Sequence, residues 1–145
     1  MYKSIKMARD LFHPHVKTAL IKDGWDITAD PLYLKVGDVN MEIDLAAEKI
    51  FEAQKDNTKI AVEVKSFLSK SKLHDYYEAE GQYNLYRLGL KRQNKEHKLY
   101  LAVEEEIFNT FFQKELIQES VEQNNMCILV FNQETETIVD RKSVV

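Results

Sequence analysis

The amino-acid sequence predicts an α/β fold, in which a mixed β-sheet is flanked by α-helices. Short runs between residues 25 and 67 alternate apolar and polar side chains, which is the period of a β-strand. Residues 73–93 carry apolar side chains three and four positions apart, which is the period of a helix. Continuous apolar runs at 98–103 and 127–131 then indicate buried strands.

Length and composition favour one globular domain over residues 1–145. The chain has a mass of 17.0 kDa and is 44% hydrophobic, which suits a single buried core and excludes a disordered chain. No apolar run is long enough to span a membrane, and the single cysteine, Cys127, cannot form an internal disulfide. We therefore expect a cytoplasmic protein. The net charge of −4 argues against a surface wholly devoted to nucleic acid.

The N-terminal half should contain one helix followed by strands. Asp10 fits the N-cap of the helix, Pro14 its first turn and Gly24 its C-terminal stop. Gly37-Asp38 predicts a hairpin turn, and the polar residues 54–58 predict another turn. The predicted strands, in chain order, are 25–30, 32–36, 39–45 extended by 47–51, and 60–67.

The C-terminal half should alternate helices and strands. Tyr76, Tyr83 and Leu90 belong to the apolar stripe of the helix at 73–93. The acidic residues 104–106 suit a helix start. The predicted elements are helix 73–93, strand 98–103, helix 107–122, strand 127–131, an edge strand at 137–139 and a tail at 141–145.

Three charged residues on two neighbouring strands form the candidate site. Asp44 lies on the strand at 39–45, and Glu63 and Lys65 share one face of the next strand, about 6–7 Å apart. If the two strands pair, two carboxylates and a lysine converge. Such carboxylates can hold Mg²⁺ for phosphate chemistry, with Lys65 stabilising the developing charge. A structural ion pair on a solvated strand face is the alternative.

The spacing of Asp44 and Glu63-Val64-Lys65 resembles the D…ExK signature of the PD-(D/E)xK nuclease superfamily. Gln82 and Tyr86, four residues apart on a predicted helix, resemble the QxxxY element of RecB-like members. A packing tyrosine with a polar neighbour is the alternative for this pair. The resemblance implies a restriction-endonuclease-like fold with its metal site on the central strands.

More of the chain resembles a narrower family, the fdxN-element excision controlling factor (XisH) proteins. The matching segments are Ala8–Asp10 with Phe12–His13, Ala19–Leu20 with Gly24–Trp25, Asp30–Pro31, Ile43–Leu45 with Ala47–Lys49, Ile60–Phe67, Gly81–Gln82, Tyr86–Arg87 and Leu99–Val103. Their order and spacing cover nearly the whole chain.

These resemblances imply a DNA-processing protein that acts in excision of a DNA element during cell differentiation. The implied activity is an endonuclease-like phosphodiester hydrolase that uses Mg²⁺ or Mn²⁺. Asp44 and Glu63 would bind the metal, Lys65 would assist attack, and Gln82 with Tyr86 would complete the site.

The implied partners are DNA, a small companion protein (XisI-like), a site-specific recombinase and, by analogy, a second copy of the chain. His13 is a doubtful addition to the site, because a lone histidine is more often satisfied by its neighbours. The alternative function is a non-catalytic accessory factor that controls the recombinase through protein or DNA contacts.

Overall fold

The computed structural model describes the backbone of residues 10–51 and 56–143. Parts of three predicted features lie outside these ranges: Ala8 and Arg9 of a matching segment, residues 54–55 of the second turn, and residues 144–145 of the tail. The elements are α1 (His13–Lys22), β1 (Asp26–Ala29), β2 (Leu32–Val36), β3 (Val39–Ile43), β4 (Leu45–Phe51), β5 (Asp56–Val64), α2 (Lys72–Arg92), β6 (Lys98–Glu104), α3 (Glu105–Asn109), a 3₁₀ turn (Phe111–Gln113), α4 (Glu115–Gln123), β7 (Cys127–Asn132) and β8 (Thr137–Ser143).

Six strands form one mixed sheet in the order β1-β4-β5-β6-β7-β8. Neighbours pair antiparallel at both ends of this order, whereas β5, β6 and β7 pair parallel in the centre. The hairpin of β2 and β3 forms a separate two-stranded sheet. The prediction of an α/β fold with a mixed sheet flanked by helices is therefore confirmed.

The six-stranded sheet is buried on both faces. Alternate residues of the central strands pack against α1 on one face and against α2 on the other. Val62, Ala102 and Leu129 lie on the α1 face with Val16 and Leu20. Residues on the α2 face include Ala61, Leu101, Val103, Ile128, Val130, Tyr76, Ala79, Tyr83 and Leu90. Because β5 alternates, Glu63 projects toward the α2 face, as Ala61 does.

The prediction of one continuous strand over 39–45 is wrong at Asp44. The hairpin strand β3 ends at Ile43, and β4 of the large sheet begins at Leu45. Ile43 packs in the core on the α2 side, and Leu45 packs on the α1 side. The backbone changes sheets at Asp44, whose N–H bonds the Glu63 side chain. The interruption places Asp44 at a corner of the sheet.

Asp10 is not the N-cap of α1, because the helix begins at His13 and Phe12 precedes it. Oδ1 of Asp10 instead accepts a hydrogen bond from the Phe12 N–H, over 3.0 Å. The C-terminal stop at Gly24 is confirmed, since the chain leaves the helix there with a φ of +92°. A side chain at that φ would be strained, so glycine suits the position.

The predicted helix over 107–122 is wrong, because the chain forms α3, a 3₁₀ turn and α4 instead. Phe111 and Phe112 are both buried and both contact Phe67, with ring centroids 5.9 and 5.4 Å away. Both rings therefore pack on one core residue at the point where the predicted helix is interrupted.

Three further boundaries differ from the prediction. The strand predicted over 60–67 ends at Val64, so residues 65–67 lie beyond β5. Residues 56–58 belong to β5 and not to a turn. The predicted tail at 141–145 is partly strand, because β8 continues to Ser143 along β7.

Candidate functional site

The side chains of Asp44 and Glu63 meet at the junction of β3, β4 and the end of β5. Oε1 of Glu63 accepts a hydrogen bond from the Asp44 N–H, over 3.2 Å. Oδ2 of Asp44 accepts one from the Val64 N–H, over 2.8 Å. Each of the two carboxyl groups also affects the pKa of the other. The structure thus brings together the two residues that the sequence proposed as metal ligands.

Burial makes it costly for both carboxyl groups to be charged. Glu63 is only 8% exposed, and burial together with the negative charge of Asp44 raises its pKa well above the usual value. Burial also raises the pKa of Asp44, and the hydrogen bond from Val64 opposes that rise. Such a pair gains stability from a proton or from a cation between its oxygens.

Lys65 lies one residue beyond the end of β5 and is held from two sides. Its backbone N–H donates to the carbonyl oxygen of Ala102, over 3.1 Å. Its Nζ lies 2.6 Å from Oε1 of Glu78 on α2. The positive charge of Lys65 also lowers the pKa of Glu63. Lys65 therefore lies near the carboxylates, although its direct ion pair is with Glu78.

Glu78 did not emerge from the sequence as a site residue. It precedes Gln82 by four positions and Tyr86 by eight, so the three share one face of α2. That spacing was a signal that could have found it.

Tyr86 approaches the carboxylates, whereas Gln82 lies on the same face of α2 one turn earlier. Burial raises the pKa of Tyr86, and the charges of Glu63, Asp44 and Glu42 raise it further. Gln82 is exposed, and both residues line a groove between α2 and the β2–β3 hairpin. The structure thus places Tyr86 near the carboxylate pair, and Gln82 lies one helical turn away along the groove.

Asp10 is a second residue that sequence reasoning assigned to another role. Its Oδ2 accepts a hydrogen bond from the Ser66 N–H, over 2.7 Å, and fixes the chain just after Lys65. The negative charge of Asp10 also raises the pKa of Asp44. No local sequence pattern predicts this contact, because Ser66 lies 56 residues from Asp10 in the sequence.

His13 is buried and belongs to a neighbouring polar cluster. Its Nε2 lies 2.8 Å from Oδ1 of Asp30, and Lys17 donates to the other oxygen of Asp30, also over 2.8 Å. The charge of His13 lowers the pKa of Asp44. His13 therefore affects Asp44 electrostatically, while its ring pairs with the carboxylate of Asp30.

The carboxylate oxygens at this corner suit a hydrated divalent cation that keeps most of its water ligands. Within residues 10–51 and 56–143, no group of three or more His, Cys, Asp and Glu side chains is arranged to hold a metal ion. A fully protein-ligated site is therefore not formed by these residues. Mg²⁺ commonly uses one or two carboxylates and keeps several waters, so the buried pair Asp44 and Glu63 suits it.

None of the helices described by the structure is long and apolar enough to cross a membrane.

The model of one protein family, described as XisH protein, matches residues 6–139. No curated protein matches the chain.

Two solved structures are similar to the chain, each with a TM-score of 0.84. An XisH family protein from Nostoc punctiforme PCC 73102 is 42% identical, and the match covers 92% of this chain and 100% of that one. An fdxN element excision controlling factor protein from Anabaena variabilis is 43% identical, and the match covers 93% and 100% of the two chains.

Proposed function

Because this chain belongs to the XisH family, we propose that it acts in excision of a DNA element as a Mg²⁺- or Mn²⁺-dependent, endonuclease-like phosphodiester hydrolase. The similar protein from Anabaena variabilis is described as an fdxN element excision controlling factor, which supports the biological part. The observation that carries the chemical part is the buried pair of Asp44 and Glu63 with Lys65 beside it.

The proposal places the chain in the PD-(D/E)xK superfamily with a restriction-endonuclease-like fold. The mixed sheet flanked by helices supports this placement, as does the position of the D…ExK residues at one corner of the central strands. A sheet corner is a suitable place for a site, because backbone groups released from the ladder are free to orient side chains.

The residues have separate roles in this hydrolysis. Asp44 and Glu63 would hold the cation, which would supply Lewis-acid chemistry to the phosphodiester. Lys65 stabilises the negative charge that develops on the phosphate. Tyr86 and Gln82 share one face of α2, on which Tyr86 lies near the carboxylates, and together they position the substrate. Asp10 fixes the backbone at Ser66 and so the direction of Lys65.

A non-catalytic accessory factor is the second candidate, and the net charge of −4 favours it. In that case the carboxyl pair would have a structural role. The protein would then act through contacts with a small companion protein (XisI-like), a site-specific recombinase, DNA or a second copy of the chain. The accessory role leaves unexplained why a lysine lies beside two buried carboxyl groups.

A cleavage assay separates the two functions. Single-stranded, duplex and branched DNA are incubated with the wild type and with Lys65→Ala in Mg²⁺ or Mn²⁺. We expect cleavage by the wild type and its loss in the variant. Equal cleavage by both preparations would remove the catalytic assignment, and no cleavage by either on any substrate would favour the accessory role.

A further inference from the structure

A groove between α2 and the β2–β3 hairpin opens beside the candidate site. It has a volume of about 750 Å³ and is lined by residues that include Tyr33, Lys35, Met41, Gln82, Leu85 and Tyr86. This volume lies within the roughly 300–1,000 Å³ of pockets that receive small molecules. It therefore suits a few nucleotide units and is too small for a duplex.

The two walls of the groove run side by side. The Gln93 side chain donates to the carbonyl oxygen of Lys35 over 2.7 Å, which places the hairpin tip at the C-terminal end of α2. In the middle, a Cβ on Gly89 would stand 2.6 Å from Cε of Met41, so glycine permits the close approach. From Gln82 to Gln93 the helix advances about 16 Å, long enough for a short stretch of one DNA strand.

The ends of the groove differ in charge. At one end Tyr86 is shared with the carboxylate site, where its pKa responds to Glu63, Asp44 and Glu42. At the other end Lys35 lines the groove, and the exposed Arg92 lies in the last turn of α2, beyond the residues that line it. Arg92 follows Leu85 by seven residues and so shares its face of the helix. A cation-binding end and a basic end can both attract backbone phosphates.

Between the ends the groove offers apolar and aromatic surface. Tyr33 is 67% exposed and Leu85 is 51% exposed, although both border a concave surface. Nucleobases stack on such rings whatever their sequence. The bases of a duplex are already stacked and paired, so only an unpaired strand can present them to this surface.

We propose that the groove binds a short unpaired segment of DNA that leads away from the carboxylate pair. The inference rests on the proposed function and names its substrate class: DNA with an unpaired strand at the cleavage point. The basic end holds a phosphate, the tyrosine rings hold bases, and the next phosphate reaches Asp44 and Glu63.

Binding without metal tests the groove separately from hydrolysis. A fluorescein-labelled oligo-dT strand and a duplex of equal length are titrated with protein in EDTA, and fluorescence anisotropy gives the Kd. Tyr33→Ser should weaken binding of the single strand about tenfold, because a base loses the ring on which it stacks. Tyr33→Phe, which retains the ring, should bind as the wild type does. Binding to the duplex should be weaker than to the single strand.

Matched controls exclude a general effect of surface substitution. Tyr77 is 58% exposed on α2 and does not line the groove, so Tyr77→Ser should leave the Kd unchanged. Arg92→Gln should reduce the salt dependence of binding by about one phosphate contact, whereas Lys114→Gln should not. Circular dichroism of each exposed-site variant verifies its fold.

The outcomes also separate this inference from the proposed function. Unchanged binding by Tyr33→Ser, or equal binding of single strand and duplex, would overturn the groove while leaving hydrolysis open. Binding that depends on Tyr33 in a protein that never cleaves DNA would retain the groove and overturn the hydrolase. If Tyr33→Ser instead converts a dimer of the free protein to a monomer in sedimentation, a second copy occupies the groove and the DNA assignment is wrong.

Discussion

The backbone N–H of Asp44 donates to Oε1 of Glu63 over 3.2 Å, although the residues lie 19 positions apart in the sequence. The Glu63 side chain thus holds the backbone of Asp44 in place where the chain passes from the β2–β3 hairpin to the large sheet. The break between β3 and β4 and the pairing of the two carboxyl groups are therefore parts of one arrangement.

The first prediction concerns pH and stability in EDTA. Burial and the Asp44 charge raise the pKa of Glu63 above its usual 4.5, so the native state binds its proton more tightly than the unfolded state does. The ionisation of Glu63 therefore lowers the free energy of unfolding as the pH rises above 4.5. The full loss is reached above the pKa of Glu63 in the native state. Glu63→Gln should be more stable than the wild type at pH 8. Its Tm should be higher by about 2–4 °C for each kcal/mol gained in the free energy of unfolding.

Thermal unfolding from pH 4 to pH 8 measures this difference. The two proteins should approach one another in Tm at the acidic end and diverge toward pH 8. Glu122→Gln, on the exposed face of α4, is the control and should follow the wild type. A Glu63→Gln protein that is less stable than the wild type at pH 8 would contradict the buried, proton-binding carboxyl.

The second prediction concerns Lys65. Lys65→Ala should reduce the rate of DNA cleavage about 10²–10³-fold, because a cation aimed at developing phosphate charge contributes on that scale. Lys70→Ala removes an exposed lysine from the following loop and is the matched control. Single-turnover cleavage rates provide the comparison, and an equal loss in both variants would show that only general charge matters.

The third prediction concerns the ion pair of Lys65 with Glu78, whose Nζ and Oε1 lie 2.6 Å apart. Glu78→Gln should leave Lys65 charged but less restrained, and the cleavage rate should fall about tenfold with little change in DNA affinity. Glu119→Gln on exposed α4 should retain the full rate. A faster Glu78→Gln enzyme would mean that Glu78 withholds Lys65 from the substrate.

The fourth prediction concerns the core beneath α2. The Tyr83 hydroxyl donates to the Leu99 carbonyl oxygen over 2.8 Å and accepts from the Cys127 N–H over 3.0 Å. Tyr83→Phe should reduce the free energy of unfolding by about 1–3 kcal/mol, because two buried backbone groups lose a partner. Urea denaturation measures the change, with exposed Tyr77→Phe as the control. Equal stability of the two variants would contradict it.

The sequence contained most of the fold, because alternation and helical spacing are local signals. The strand pattern around Gly37-Asp38 predicted the hairpin, and the apolar stripe of Tyr76, Tyr83 and Leu90 predicted α2. The long helix over 107–122 failed, since burial of both Phe111 and Phe112 against Phe67 depends on tertiary contacts. Tertiary packing overrode the local helical pattern there.

The site was predictable in its carboxylates and less so in their surroundings. Asp44 and Glu63 meet as expected, although Asp44 lies at a break and not within a strand. Asp10 looked like a helix cap, since its contact with Ser66 joins distant parts of the chain. The partner of Lys65, Glu78, depends on how α2 packs over the end of β5. The spacing of Glu78, Gln82 and Tyr86 indicates a shared face of α2, but the pairing of Glu78 with Lys65 is a long-range contact that the spacing does not predict.

The most direct test of the account is a crystal of the protein soaked in Mn²⁺, with anomalous diffraction recorded at the manganese edge. The account predicts a peak between the carboxyl oxygens of Asp44 and Glu63, at about 2.1 Å from each ligand as for Mg²⁺, and no peak in Glu63→Gln. A crystal saturated with Mn²⁺ that shows no anomalous peak between these two carboxyl groups would contradict it.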